Sequence, residues 1–339
     1  EWLTTFLGYE PHMKIGDRLF LFDEARNFNF SQIPKEYELI LWIDTDDILI
    51  GGKNLWKLKE IAEQASIDAF LLKYIYLATF DKNNSVKDIL IEHIRERVVR
   101  NGMFKWIAPI HEVLTEINPT TKTYVEDCVI LHLINMGHIA RGIERNMKNL
   151  EYAVYQSGGK DPRHTYNLAK GYIDIKNPEY SEKAIPLINA FLWGEYQSEW
   201  PEERAEAYEY LCNIYRERGE LNYAIKACML ALDEEPERKS IFLNLASVYI
   251  DKSEWEKALW WVRVADKVVD KQTTLTMNTR DLKLMGFSAK YNAYSNLGKI
   301  NEAYDVASDL LKSMPNDPVA RDIYKDITKK KIQNMIAEL

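Results

Sequence analysis

The pattern of apolar and polar residues changes character near residue 138 of the chain. Before that point, several apolar runs lack a helical period and therefore predict β-strands. These runs are residues 38–44, 68–80, 95–100 and 124–133. Between the first two, residues 53–65 carry apolar side chains at helical spacing, which predicts an amphipathic helix. Strands interleaved with helices predict a mixed α/β domain.

The remainder of the chain carries helical patterns, and these patterns repeat. Tyr215 and Tyr249 are 34 residues apart, and so are Ala224 and Ala258. Ala303 continues the series after a longer interval. A 34-residue period with Ala where two helices cross predicts helical hairpins of the tetratricopeptide type, which build a core by stacking on their neighbours.

These patterns divide the chain into four predicted segments. They are an α/β domain over 1–137, a connecting helix over 138–160, helical repeats over 161–316 and a capping helix over 317–339. The predicted fold class is a mixed, Rossmann-like sheet domain followed by an all-α solenoid.

The run over 38–44 stops abruptly at three carboxylates, Asp44, Asp46 and Asp47. An apolar run of this kind predicts a strand buried on both faces, and open α/β sheets bind ligands beyond the carboxyl ends of such strands. Three carboxylates placed so close together repel one another, and a divalent cation with oxygen ligands relieves that repulsion. The alternative is a solvated turn, in which Asp is a favoured residue.

Composition narrows the functional classes. The chain has 339 residues, 46% of them hydrophobic and 28% charged, and a net charge of −8, which argues against nucleic acid as the main partner. No apolar run approaches the length of a membrane span. The cysteines, Cys128, Cys212 and Cys228, lack metal-ligand spacing and favour a reduced, cytoplasmic setting.

Three motifs occur in a characteristic order along the first domain. They are Phe22-Asp23-Glu24-Ala25-Arg26-Asn27, then Leu41-Trp42-Ile43-Asp44-Thr45-Asp46-Asp47, then Trp106 followed by Ile110-His111-Glu112. In this order, and with helical repeats behind them, they resemble the family 2 glycosyltransferases of the GT-A fold, in the subgroup with a C-terminal tetratricopeptide array. The resemblance implies a GT-A catalytic domain over 1–137 that transfers a sugar from a nucleotide-sugar, with inversion.

The resemblance also implies roles for the three carboxylates. Asp46 would bind a divalent cation, Mn²⁺ or Mg²⁺, directly. Asp44 would contact the donor ribose or a metal-bound water, and Asp47 would hold the loop or a further water. A cation at this place would stabilise the charge that grows on the diphosphate leaving group.

Further residues are expected to contact the donor. Arg26, with Asn27 beside it, is expected at the diphosphate or near the nucleobase, because a planar guanidinium suits such groups. A surface ion pair is the other interpretation of Arg26. Arg97 and Arg100 flank Val98 and Val99, and one of the two is expected near the diphosphate, with Arg100 as the candidate. Charges that face outward from a half-buried edge strand would explain both arginines as well.

The third motif and one further histidine supply the remaining candidates. Glu112 is expected to act as the general base that takes the acceptor's proton. His111 and His132 compete for the metal, and neighbouring residues of a strand point to opposite faces, so His111 and Glu112 share a site only if they lie in a loop or bulge. Trp106 is expected either to stack on the acceptor sugar or to belong to the core.

One part of the family pattern has no counterpart. Family members open with a strand, turn and helix that bind the nucleobase, and nothing before Phe22 resembles that unit. We therefore expect either that the residues given begin part-way through a longer protein or that the chain is a degenerate relative.

The function we expect is metal-dependent glycosyl transfer, with a uridine diphosphate sugar as donor and a protein, peptide or glycan as acceptor, held in part by the helical array. The alternative is a non-catalytic tetratricopeptide scaffold with a vestigial α/β domain.

Overall fold

The computed structural model describes residues 7, 11–14, 17–82, 85–133, 136–269, 275 and 277–337. The chain divides into two compact units, Glu1–Glu199 with Gln272–Met277, and Trp200–Lys271 with Asn278–Leu339. The first unit therefore extends past residue 137, where the sequence patterns end the α/β domain.

In the residues that the structure describes, the sheet region of the first unit contains two helices and seven strands. The elements are α1 (Phe22–Ser31), β1 (Leu39–Leu41), β2 (Asp47–Ile50), a 3₁₀ turn (Gly52–Asn54), α2 (Trp56–Ala65), β3 (Ala69–Phe80), β4 (Val86–Arg100), β5 (Phe104–Ile107), β6 (Val113–Glu116) and β7 (Lys122–His132). The prediction of a mixed α/β region followed by helices is confirmed at this level.

The main sheet follows the order β1-β4-β3-β7-β2, and β5 and β6 form a separate antiparallel pair. In the main sheet β3 and β7 run parallel, whereas β1–β4, β3–β4 and β2–β7 are antiparallel pairs. Helix α2 covers one face, where Leu58 and Ala62 join the cluster that contains Phe70, Leu72 and Ile130. Apolar burial in this cluster is the main source of stability for the region.

The predicted strand over 38–44 is shorter and more exposed than expected. It ends at Leu41, and it lies at the edge of the sheet rather than in its interior. Leu41 and Ile43 are 37% and 44% exposed, so the prediction of a strand buried on both faces is wrong. The apolar run misleads because residues 42–44 leave the sheet to form the loop that carries the carboxylates.

Three helices complete the described part of the first unit: α3 (Met136–Ser157), α4 (Pro162–Asp174) and α5 (Pro178–Trp193). The side chains of Asp161 and Asn177 cap the last two of these helices, and Pro at the first helical position follows each cap. Helices α4 and α5 form a hairpin, with Ala184 fully buried on α5.

The second unit is helical throughout its longer elements. These are α6 (Pro201–Glu217), α7 (Leu221–Glu234), α8 (Lys239–Asp251), α9 (Trp255–Ala265), α10 (Thr279–Asn296), α11 (Ile300–Ser313) and α12 (Pro318–Ala337); a short strand, β8, covers Met277–Asn278. The longer interval before Ala303 predicts an insertion around 271–280, of which residues 271–274 and 276 lie outside the described residues.

The repeat positions behave as the 34-residue period predicts. Ala224, Ala258 and Ala303 are all fully buried on the second helix of their hairpins, where a small side chain lets two helices approach. The turns at Gly219 and Gly298 take left-handed backbone angles, with φ of 72° at both. Among the described residues, no helix combines the length and apolar character needed to cross a lipid bilayer.

Candidate functional site

The site forms where β2 and β7 pair. The antiparallel register places Asp47 directly opposite His132, at the start of β2 and the end of β7. The His132 Nδ1 atom lies 3.1 Å from Oδ1 of Asp47 and 3.7 Å from Oδ1 of Asp46. Two residues separated by 85 positions in sequence therefore meet at one end of the sheet.

The carboxylate of Asp47 is fully buried, and four groups surround it. Oδ1 accepts from the Tyr74 hydroxyl at 3.2 Å and lies beside His132. Oδ2 accepts from the Asp44 backbone N–H at 3.0 Å and from Arg97 Nη1 at 3.4 Å. A carboxylate has about four acceptor sites, so this set satisfies Asp47 without any further ligand.

Of the three neighbouring side chains of Asp46, Asp47 and His132, those of Asp46 and His132 are accessible to solvent. The side chain of Asp46 is 51% exposed and that of His132 is 16% exposed. Because a carboxylate only accepts hydrogen bonds, the ring N–H at Nδ1 of His132 is the donor in the contact with Asp47. A carboxylate that orients a histidine in this way is a common support of metal ligands.

The donor chemistry of the cluster fits a divalent cation. One ligand atom from each of Asp46, Asp47 and His132 lies within 4.8 Å of the others. Carboxylate oxygen suits Mg²⁺ and Mn²⁺, whereas imidazole nitrogen is uncommon around Mg²⁺. The mixed set therefore fits Mn²⁺ better than Mg²⁺, with water or a ligand filling the other coordination positions.

Arg26 joins the acidic loop to the candidate base. Its Nη2 donates to Oδ1 of Asp44 at 2.8 Å, and its Nε donates to Oε1 of Glu112 at 2.7 Å. Burial alone would lower the pKa of Arg26, but the two carboxylates outweigh burial and raise it above its ordinary value. The guanidinium also lies 5.1 and 4.9 Å from the ring centroids of Trp42 and Trp106.

Asn27 and Trp106 occupy structural positions beside this bridge. The Asn27 amide exchanges two hydrogen bonds with the backbone of Trp106, which uses both ends of the amide group. The Trp106 ring is 3% exposed and meets Trp42 edge-on at 4.6 Å. In this arrangement the ring presents no open face to an acceptor, and the core interpretation of Trp106 fits the structure.

Glu112 and His111 lie in a loop between β5 and β6 rather than on a strand. His111 has a left-handed backbone, with φ of 52°, and its side chain is exposed. Within the part of the chain that is described, the side chains that could hold a metal together are those of Asp46, Asp47 and His132, and not that of His111. The geometry therefore favours His132 in the competition for the metal.

Arg100 lies away from the carboxylates. Its Nε donates to Asp68 at 2.9 Å, and its Nη2 donates to the carbonyls of Ala62 and Ile67. Arg100 is on β4 and pairs with Leu39 of β1. Leu39 is at the opposite end of β1 from Leu41 and the acidic loop. Three residues of strand span about 10 Å, so the side chain that reaches the loop is Arg97.

Two residues that support the acidic loop, Tyr74 and Trp42, are not predicted by the sequence patterns. Tyr74 lies mid-strand on β3, and burial, followed by the nearby charge of Asp47, raises the pKa of its hydroxyl. Trp42 is part of the acidic motif, yet its indole N–H donates to the carbonyl of Glu96 and its ring stacks with arginine. An apolar run gives no signal for either contact.

No protein-family model and no curated protein matches this chain. Solved structures that are similar to part of it include two repeat proteins. One, a tetratricopeptide repeat protein from Parabacteroides merdae, is 16% identical over 60% of this chain and 72% of that chain, with a TM-score of 0.43. The other, a thermophilic TPR protein in Thermus thermophilus, is 21% identical over 56% of this chain and 92% of that chain, with a TM-score of 0.37. Because both TM-scores are below 0.5, our description of the helical region rests on its own hairpins.

Proposed function

We propose that this chain is a divalent-metal-dependent glycosyltransferase that uses a nucleotide-sugar, with a uridine diphosphate sugar as the first candidate. The observation that carries the proposal is the meeting of Asp46 and His132 beside the Arg26 bridge. A metal held by Asp46 and His132 would lie at the loop that also carries Asp44. Arg26 connects Asp44 to Glu112, the candidate base.

The metal would be held by Asp46 and His132, with Asp47 orienting the histidine. When bound, it would supply electrostatic stabilisation of the diphosphate leaving group. Manganese is the preferred ion because the ligand set mixes carboxylate and imidazole.

Glu112 is the proposed general base. Its side chain is 15% exposed and its Oε1 is held by Arg26, which orients the carboxylate and leaves Oε2 for an acceptor hydroxyl, thiol or amine. A positioned carboxylate within hydrogen-bond reach of that group would take its proton during transfer. The acceptor classes we propose are a protein or peptide side chain and a glycan.

The test is donor turnover by the full chain with a panel of nucleotide-sugars, with and without MnCl₂. We expect manganese-dependent release of the nucleoside diphosphate and manganese-dependent thermal stabilisation. Asp46→Asn should abolish both, while Glu112→Gln should remove transfer and spare donor binding. Asp88→Asn is the matched control, because Asp88 lies on β4 and its contact is with the Thr79 hydroxyl. The catalytic proposal fails if no donor and no metal affects the protein.

A binding scaffold is the second candidate, and a cavity in the second unit favours it. The cavity has a volume of about 470 Å³ and lies along α6, α8 and α10. Its lining mixes amide and hydroxyl side chains with apolar ones; Asn213, Ser247, Leu284 and Asn292 are examples. Such a lining suits a peptide segment. If the scaffold function alone holds, Asn213→Ala/Asn292→Ala should weaken partner capture, while Asp46→Asn has no effect on any measured property.

A further inference from the structure

The inference concerns Arg97, which occupies an irregular position in β4. In the pairing of β3 with β4, Phe70 faces Val98 and Leu71 faces Glu96, so Arg97 is the extra residue of a β-bulge. A bulge redirects a side chain out of the strand's normal alternation. As a result, Arg97, Val98 and Val99 are buried in succession.

The redirected guanidinium is enclosed by aromatic rings. It lies 3.8 Å from the ring centroid of Trp42 and 4.2 Å from that of Tyr74. Its Nη1 donates to Asp47 at 3.4 Å, and the side chain is 3% exposed. The Arg97 carbonyl also accepts from the Trp42 backbone N–H at 3.1 Å. The backbone and the guanidinium of Arg97 therefore both contact the loop over 42–47.

The carboxylates of the loop are divided between two arginines. Asp44 is paired with Arg26, and Asp47 is paired with Arg97. Asp46 lies beside His132 and has the most exposed side chain of the three. This partition leaves one carboxylate facing outward without an arginine partner, which suits a cation ligand.

We propose that Arg97 is a positioning residue for the metal centre. By neutralising Asp47 and stacking on Trp42, it holds the loop over 42–47 in the form that presents Asp46 and His132 to a divalent cation. The inference rests on the proposed function, since it assigns a support to the same centre. Arg97 itself touches neither the cation nor the substrate.

The energetic basis is the cost of an unpaired buried charge. Removing one partner of a buried ion pair is far more damaging than replacing both by neutral groups, because it leaves a charge without compensation. Without Arg97, the buried Asp47 carboxylate would lose its ion-pair partner and would turn toward water. That movement would release His132 and the backbone of Asp44, which Asp47 holds.

The test is Mn²⁺ affinity, measured by electron paramagnetic resonance of the free ion in the presence of the full chain. We expect Arg97→Met to raise the Kd for Mn²⁺ by about tenfold or more, the usual effect of losing a residue that supports metal ligands. The double variant Asp47→Asn/Arg97→Met should recover part of that affinity, because it leaves no unpaired buried charge. The recovery is partial because the asparagine has one acceptor oxygen, which can accept from His132 or from the Asp44 backbone but not from both. Arg97→Lys should fall between the wild type and Arg97→Met.

Arg100→Met is the matched control, because Arg100 lies on the same strand but binds Asp68 away from the loop. It should leave the Kd unchanged even if it lowers stability. Wild-type affinity in a folded Arg97→Met variant would overturn the role of Arg97 alone and leave the metal centre standing. If Arg97→Met does not fold, the Kd for Mn²⁺ of the double variant is compared with that of Asp47→Ala. A double variant that binds Mn²⁺ no more tightly than Asp47→Ala would overturn the role of Arg97 and leave the metal centre standing. A wild-type chain that binds no Mn²⁺ would overturn the metal centre, and this inference with it.

Discussion

Asn27 and the backbone of Trp106 form a reciprocal pair. The Asn27 Nδ2 donates to the Trp106 carbonyl and the Trp106 N–H donates to the Asn27 Oδ1, both at 2.8 Å. The pair ties helix α1 to β5, and it thereby fixes where the neighbouring Arg26 stands relative to the loop of Glu112.

The first prediction is that Asn27→Ala destabilises the chain by about 2 kcal/mol, because two hydrogen bonds of about 1 kcal/mol each are lost and a buried backbone group is left unpaired. Urea unfolding followed by circular dichroism measures this change. Asn29→Ala is the control on the same helix, since Asn29 is exposed, and it should change stability by less than about 0.5 kcal/mol. Equal effects of the two changes would contradict a specific role for the pair.

The second prediction concerns two glycines with almost the same backbone. Gly51 and Gly102 have φ of 80° and 79°, so alanine at either position carries the strain of a left-handed residue, about 1 kcal/mol. A Cβ on Gly51 would lie 2.0 Å from the carbonyl oxygen of Asp127, whereas a Cβ on Gly102 would meet nothing within 4 Å. Gly51→Ala should therefore cost well above the roughly 1 kcal/mol of Gly102→Ala.

Thermal unfolding of the two variants separates the clash from the backbone strain, because the strain is common to both. The turn at Gly51 leads out of β2, which pairs with β7 through Asp47 and His132. We expect Gly51→Ala to weaken Mn²⁺ binding as well. A Gly51→Ala variant as stable as Gly102→Ala would mean that the β2 turn is placed differently from the structure described above.

The sequence predicted those features that depend on neighbours along the chain. The helix over 56–65 and the buried alanines at Ala224, Ala258 and Ala303 follow from local periods, which is why both were foreseen. The acidic character of residues 42–47 also follows from the local sequence. The strand before them is predicted to be longer and more buried than β1 is in the structure.

Features that depend on register were out of reach. Asp47 meets His132 because β2 and β7 pair in one register out of several, and a shift by one residue would turn every side chain to the other face. Arg97 reaches the loop because of a bulge, and regular alternation along the sequence gives no sign of a bulge at this position. The expectation of Arg100 beside the donor shows this limit directly.

The third prediction concerns His93, whose pKa is lowered to about 3 by burial and by the cations Arg95, Arg97 and Lys170. Its ordinary pKa is about 6.5. Between these values the unfolded chain binds a proton that the folded chain does not, so the contribution of His93 to stability falls as pH falls from about 6.5 toward 3. The slope from one such group is at most about 1.4 kcal/mol per pH unit.

His93→Phe removes the titrating group and keeps a ring beside Tyr74, whose centroid is 5.1 Å from that of His93. The difference in unfolding free energy between wild type and variant should be constant above about pH 7.5 and should shift in favour of the variant on acidification to about pH 5. Measuring the difference at each pH cancels the contributions of the titrating groups that the two chains share. A difference that does not change with pH would contradict the burial of His93 in its neutral form.

The fourth prediction separates the two arginines that hold the acidic loop. Arg26 binds Asp44 and Glu112, whereas Arg97 binds Asp47, so the two supports should fail in different ways. Arg26→Gln leaves the metal cluster with all its contacts, and it should therefore leave the Kd for Mn²⁺ within about threefold of wild type. The same change frees Glu112 from its orienting partner and should lower the rate of transfer by about a hundredfold, the scale of a general base that is no longer positioned.

The conservative change at Arg26 and a paired measurement sharpen this test. Arg26→Lys keeps the charge but loses the two-pronged bridge, so we expect most of the rate to remain lost. Isothermal titration with MnCl₂ and donor turnover, measured on the same preparations, give both numbers. A loss of metal affinity equal to that of Arg97→Met would mean that Asp44 and Glu112 belong to the metal centre itself, and that the division of labour between the two arginines is wrong.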